Sequence, residues 1–464
     1  MSISEPQTPP RTIPLPQFDH TPAPYDGPSR DEVIALRRQY LSPGLLTYYA
    51  EPLMVVEGKM QYVFDETGKR YLDAFAGIVT VSVGHCHPSV IDKVKAQTDK
   101  LQHTTTIYLH PTIAQFAEKL AEKMPTNPDG VPLDKTYFTN SGSEANELAV
   151  LSAREFTGNH DVVALRNGYH GGTANTMGLT AHGTWRFKSN NPSGILHSHP
   201  GYCYRCPYNL EYPSCDLKCA HDIKHVIEYQ TSGEIAAFIG EPIQGVGGAV
   251  TPPKEFFEIV YGIVRDHGGL CIADEVQGGF GRTGTHYWAH QNYNVQPDMI
   301  TMAKGIGNGA PLAAMTTTTD VAQQMANRVH FNTYGGNPIS VTQGLATLEV
   351  IDEEGIQENA AAVGTRLKDA LLELQNKHAL IGEVRGLGLM LGVELVKDRN
   401  TKEPAKAECA AVVERAKTLG LLLGKGGLHG NTIRLKPPMC ITKDDADFIV
   451  AVLDESLTHL TPGH

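Results

Sequence analysis

Apolar and polar positions change rhythm several times along the chain. Residues 1–43 show little periodicity and many prolines, which predicts an extended arm crossing a surface, with a second subunit's surface as one candidate. Residues 54–75 alternate apolar and polar around a turn at Thr67-Gly68, as a hairpin does. Residues 87–101 open on Pro88 and space Val90, Val94 and Leu101 at helical intervals. Short apolar runs then appear at 136–140, 161–166, 235–241, 269–276, 298–303 and 312–317. Helix-compatible segments separate most of them, so the pattern predicts an α/β domain with a mostly parallel sheet and helices on its faces. After about residue 345 come a helical stretch, the strand-like "GEVRGLGLMLGVELV" and a last helix from about Thr442. These read as a smaller α+β domain that the N-terminal hairpin joins. The expected division is an arm at 1–43, the N-terminal part of the small domain at 44–95, a large domain at 96–344 and the C-terminal small domain at 345–464.

Composition narrows the class. A chain of 464 residues can bury a large core without disulfide or metal staples. A net charge of −12 argues against nucleic acid or an anionic membrane as the main partner. No apolar run is long enough to span a bilayer. The first twenty residues have no apolar core, carry Glu5 and Asp19, and hold a single arginine, Arg11, which leaves a cytoplasmic enzyme as the expectation.

Chemistry collects where the predicted strands end, the usual ligand side of an open α/β sheet. "TNSGSEAN" (139–146) follows one run and opens a helix. Ser141, Gly142 and Ser143 there offer N–H groups and hydroxyls suited to a phosphate, or Ser143 is simply a helix cap. Asp274 and Glu275 end a very apolar run, where a buried carboxylate needs a partner. A ring N–H⁺ of a heterocycle is one partner; a solvent-facing pair is the plain alternative. In "DMITMAKGIGNG" (298–309), Lys304 ends another run. A buried lysine loses basicity and becomes a nucleophile able to form a Schiff base. The glycines behind it match neither a Walker loop nor the full dinucleotide spacing. "NTYGGNP" (332–338) supplies a free hydroxyl at Thr333 but alone reads as a loop. A phosphate cradle, an acid for a ring nitrogen and a Schiff-base lysine together fit pyridoxal 5'-phosphate (PLP).

The string "ADEVQGGFGRTG…PDMITMAKGIGNGAPLAA" closely resembles the class III PLP-dependent aminotransferases, over about residues 35–460. "AGIVTVSVGHCHP", "NSGSEANELA", "GEPIQGVGG", "FNTYGGNP" and "MCITKDDADF" are most similar to the alanine–glyoxylate aminotransferase 2 group. The resemblance implies the fold type I (aspartate-aminotransferase-like) architecture and a ping-pong transamination. The amino group would pass from alanine, β-alanine or 3-aminoisobutyrate to glyoxylate or pyruvate. A 4-aminobutyrate or other ω-amino acid transaminase, and a racemase or aminomutase on the same scaffold, remain as alternatives. It also implies roles. Lys304 would hold the cofactor and move the proton, Asp274 would bind the ring nitrogen and Gln277 the ring oxygen. Ser141, Gly142 and Ser143 would cradle the phosphate, and Thr333 would reach the phosphate of a neighbouring subunit in a homodimer or tetramer. Tyr169 would stack on the ring beside His170, although a half-buried core aromatic is the plain reading. Arg434 would grip an α-carboxylate and Glu241 would mask it as a switch, whereas Arg434 alone reads as a surface ion pair. Ile78 would lie over the substrate and favour small apolar ones.

Residues 201–222 hold Cys203, Cys206, Cys215 and Cys219 as two close pairs. A structural zinc site and a loop with cysteines packed as small apolar residues both fit. The resemblance implies no metal in the chemistry.

Overall fold

A computed structural model describes residues 13–189 and 192–460, so the start of the predicted arm lies outside the described residues. The rest of that arm is not all extended. Arg30–Tyr40 is a helix, with Ser29 accepting from the Glu32 N–H and Glu32 accepting in return. None of its residues is buried, and the capping pair marks where it starts.

The predicted hairpin is a three-stranded meander of β1 (Val55–Lys59), β2 (Tyr62–Asp65) and β3 (Arg70–Asp73). The Thr67-Gly68 turn joins β2 to β3, with Gly68 at φ +81°. The helix after it is Pro88–Thr98; Val90 is buried, but Leu101 lies beyond the helix and is exposed.

Seven strands form the central sheet. They are β4 (Lys135–Thr139), β5 (Val162–Leu165), β6 (Ile195–Ser198), β7 (Ala237–Gly240), β8 (Leu270–Asp274), β9 (Met299–Met302) and β10 (Ala313–Thr317). Their order is β4-β10-β9-β8-β7-β5-β6, and only β10 runs against its neighbours. β5, β7 and β9 are buried throughout their length and β8 from Cys271 on, and apart from Thr301 and the terminal Asp274 they are apolar or glycine, because helices cover both faces. β6 matches none of the predicted runs. It is an edge strand, mostly half-buried, and its His197 breaks the apolar run.

The C-terminal part builds a second sheet from β11 (Ile381–Leu387), β12 (Met390–Leu395), β14 (Gly424–Gly426) and β15 (Thr432–Leu435), in the order β11-β12-β15-β14. Between them, β13 (Leu421–Leu422) pairs in parallel with β3, so the N-terminal meander and the C-terminal region share a sheet. The helix Ile356–Lys377 approaches so closely that a Cβ on Gly364 would lie 2.4 Å from the Gly388 backbone. The fold is α/β, with a large mixed sheet beside smaller ones.

Candidate active site

The parallel strands aim their carboxyl ends at one place. β8 ends on Asp274, β9 ends two residues before Lys304, β7 ends just before Glu241, and the segment after β5 carries Tyr169 and His170. β4 leads into the helix Gly142–Thr157. Between them is a cavity of about 140 Å³ lined by residues including Gly142, Ser143, Tyr169, Asp274, Gln277 and Lys304.

Asp274 is fixed on three sides. Its Oδ2 accepts from His170 Nδ1 at 2.7 Å and Asn146 Nδ2 at 2.9 Å, and its Oδ1 accepts from the Val276 N–H at 3.1 Å. Burial works against a charged His170, yet the Asp274 hydrogen bond and charge, with Glu241 beyond, leave the imidazole more basic than usual. Glu275 serves a different purpose. It accepts from the Ala289 and His290 N–H groups and from His290 Nδ1, and so anchors a 3-10 turn. Adjacent residues of a strand point to opposite faces, which separates the two carboxylates.

Lys304 is half-buried at the cavity wall, at φ +50°. Burial holds its amine below the usual lysine range; Asp274 and Glu241 oppose that shift and Arg434 adds to it. Of the glycines behind it, only Gly309 takes a positive φ, at +108°. Gly305 and Gly307 have ordinary φ, and Asn308 pins the loop by accepting from the Ser82 and Val83 N–H groups.

At the helix N-terminus the two serines divide the work. Ser141 is the N-cap: its Oγ accepts from the Glu144 N–H at 3.2 Å and donates to Glu144 Oε2 at 3.1 Å. It does not line the cavity, because its hydroxyl is spent on the cap. Ser143, not the cap, does line it, and its Oγ accepts from the Gly172 N–H at 3.0 Å. Gly142 is constrained by space: a Cβ there would lie 3.2 Å from Val276.

No ion pair joins Glu241 to Arg434. Glu241 Oε1 accepts from the Tyr169 N–H at 2.9 Å and Oε2 from the Gly245 N–H at 2.7 Å. Burial and the Asp274 charge raise its pKa. Arg434 donates to Lys425 O at 2.9 Å and, weakly, to Gly245 O at 3.4 Å, with its guanidinium 5.3 Å from the Phe75 ring centre. It is buried rather than on the surface, and its Nε has no partner. Burial lowers its pKa while Tyr48 and Glu241 raise it.

Tyr169 meets Trp185 edge-on at 5.4 Å, and burial raises its pKa. Ile78 lies in a neighbouring groove with Tyr48 and Phe75, half-exposed at φ +66°. Thr333 is exposed in the loop that Asn332 braces, away from the cavity of its own chain. Among the described residues, no group of three or more His, Cys, Asp or Glu side chains is placed to hold a metal ion. The four cysteines of 201–222 are free thiols, and burial pushes Cys203 and Cys219 up to about 11.

Sequence reasoning missed Asn146 and Lys436. Asn146 sits one helical turn after Gly142, which could have placed it at the cavity. Lys436 lies two residues after Arg434 on an alternating strand, which could have placed both on one side.

These residues fit PLP. Asp274 is held by His170 and Asn146 on one oxygen, and the other, which takes the Val276 N–H, keeps a lone pair for a ring N–H⁺. A helix N-terminus with a glycine and a hydroxyl faces the same cavity as the depressed lysine.

Comparison with known proteins agrees. The family model "Aminotransferase class-III" matches residues 47–457. "Alanine–glyoxylate aminotransferase 2 homolog 2, mitochondrial" from Arabidopsis thaliana is 50% identical over 446 residues, 96% of this chain and 91% of that protein. "Alanine–glyoxylate aminotransferase 2, mitochondrial" from Homo sapiens is 41% identical over 464 residues, covering 96% and 89%. Among solved structures, a PLP-bound amine transaminase from an uncultivated Pseudomonas species superposes with a TM-score of 0.83 at 30% identity, covering 91% of this chain and 99% of that one. The two curated relatives are named mitochondrial, which overturns the cytoplasmic expectation. That expectation rested on the composition of the first twenty residues, which states no address.

Proposed function

The chain belongs to the class III aminotransferases and is a PLP-dependent transaminase, and from that premise we propose that it moves the amino group of alanine or a small β-amino acid to glyoxylate or pyruvate. The observation that carries the substrate class is the 50% identity, over 96% of the chain, to a protein named for alanine and glyoxylate. The same relatives' names support a mitochondrial site of action.

When bound, PLP supplies an aldehyde carbon that accepts the amine and a ring that draws off electrons. Lys304 is the residue that would hold it, and its depressed basicity keeps more of Nζ in the neutral form that can attack a carbonyl or take a proton. Lys304 Nζ would take the proton from the donor carbon that bears nitrogen. Asp274, oriented by His170 and Asn146, keeps a ring N–H⁺ in place. Gly142 and Ser143 would hold the phosphate with the dipole of their helix behind them. Gln277 would donate to the ring oxygen, and Tyr169 would cover one face. Arg434 would take the substrate carboxylate through its planar fork. Glu241, committed to the Tyr169 and Gly245 backbone, shapes the cleft rather than masking Arg434. Thr333 would complete the site of a second subunit, so the working unit is at least a dimer.

A panel of donors tests this: alanine, β-alanine, 3-aminoisobutyrate and 4-aminobutyrate, each against pyruvate and glyoxylate. Alanine with glyoxylate should give pyruvate and glycine in equal amounts. Exclusive use of 4-aminobutyrate would refute the substrate class, and racemised alanine without keto acid would refute transamination.

A further inference from the structure

Lys436 is fully buried, with no exposed surface and no carboxylate paired to it among the described residues. A lysine in that position is costly unless its N–H groups are used. They are used on two oxygens. Nζ donates to Gln277 Oε1 at 2.9 Å and to Gly245 O at 3.1 Å. Gln277 lines the cavity and Lys436 does not, so Lys436 acts at one remove.

The surroundings allow the Gln277 amide little freedom. A Cβ on Gly245 would fall 2.3 Å from the Gln277 amide carbon, so the glycine backbone lies directly against the side chain. The Gly245 N–H is itself held by Glu241 Oε2 at 2.7 Å. The amide is therefore bounded by a fixed turn on one side and a donor on the other. An amide rotated by half a turn would bring its NH₂ against the Lys436 donors and lose that bond.

We propose that Lys436 is a positioning residue for the cofactor, holding the Gln277 carbonyl back so that the Gln277 N–H₂ group faces the ring oxygen. Burial, with Arg434 next in weight, holds the Lys436 amine well below the usual lysine range. A neutral amine still offers two N–H groups for its two oxygens, but its lone pair can also accept from a turned amide, so the lock is strict only while the amine is protonated. The inference rests on the assignment of Gln277 to the ring oxygen, and the test separates the two.

The variants are K436M, Q277A and the double variant. The readouts are the dissociation constant of pyridoxal phosphate from the enzyme and the pH midpoint of the bound cofactor's visible absorbance. K436M should weaken cofactor binding on the order of tenfold, the cost of an amide left without its buried donor, and should move the midpoint. Q277A should do the same, and the double variant should do no more than Q277A alone. A Q277A enzyme with an unmoved midpoint overturns the Gln277 assignment and this inference with it. A Q277A shift with K436M unshifted, or K436M effects that persist in the Q277A background, overturns the inference alone. If K436M does not fold, Q277A against Q277A/K436Q makes the same comparison: equality supports the lock and a further shift overturns it.

Discussion

Lys304 carries its own backbone strain. Its φ of +50° lies in the left-handed region, which costs a side-chain-bearing residue roughly 1–2 kcal/mol. The strain sits on the reacting residue rather than on Gly305 or Gly307. Lys304→Ala should abolish turnover by at least ~10³-fold in steady-state assays, because the chain then has no base at the donor carbon. The lowered pKa also has a sign in stability. A lysine less basic folded than unfolded binds fewer protons in the native state, so its contribution is fully present above the unfolded value, about 10.4, and is lost as pH falls through the folded one. Cofactor-free Lys304→Met should therefore melt above its cofactor-free parent at neutral pH, with the gap closing toward pH ~10; calorimetry across that range checks it. A gap that widens with pH would contradict the assignment.

Single elements show what the sequence could and could not state. The apolar runs of β5, β7, β8 and β9 were legible because buried parallel strands need continuous apolar side chains, while β4 and β10, paired antiparallel at one edge, showed as shorter runs. β6 and the helix Arg30–Tyr40 were not, since one is half-buried and the other buries nothing. Asp274 and Lys304 were legible as polar groups at the ends of such runs. Asn146 and Lys436 became visible only when distant segments met, for Lys436 depends on Gln277, 159 positions away. The division of labour in "NSGSEANELA" is testable at this scale. Ser141→Ala should cost about 1 kcal/mol through the lost N-cap and leave cofactor affinity nearly unchanged, seen by denaturant titration beside cofactor titration. Gly364→Ala forces a methyl against the Gly388 backbone and should cost roughly 1–3 kcal/mol in the same denaturant assay, with no direct effect on the site.

At the scale of the molecule, Thr333 points the account beyond one chain. Ile107, Tyr108, Leu109, Val329, Phe331 and Tyr334, in the same two loop regions of the sequence, are all exposed. Mixing inactive Lys304→Ala with impaired Thr333→Ala and letting the subunits exchange should restore activity, because each mixed dimer holds one intact site. No recovery after exchange, with light scattering confirming dimers, would place Thr333 outside the site. The central claim is that one chain takes nitrogen from a small amino acid in a first half-reaction, holds it, and gives it up in a second. The most direct test is to mix the PLP-loaded enzyme with ¹⁵N-labelled L-alanine and no acceptor. One pyruvate per active site should form and then no more, followed by ¹⁵N-glycine in equal amount when glyoxylate is added. Pyruvate that forms only when both substrates are present, or alanine that racemises while no pyruvate appears, would contradict it.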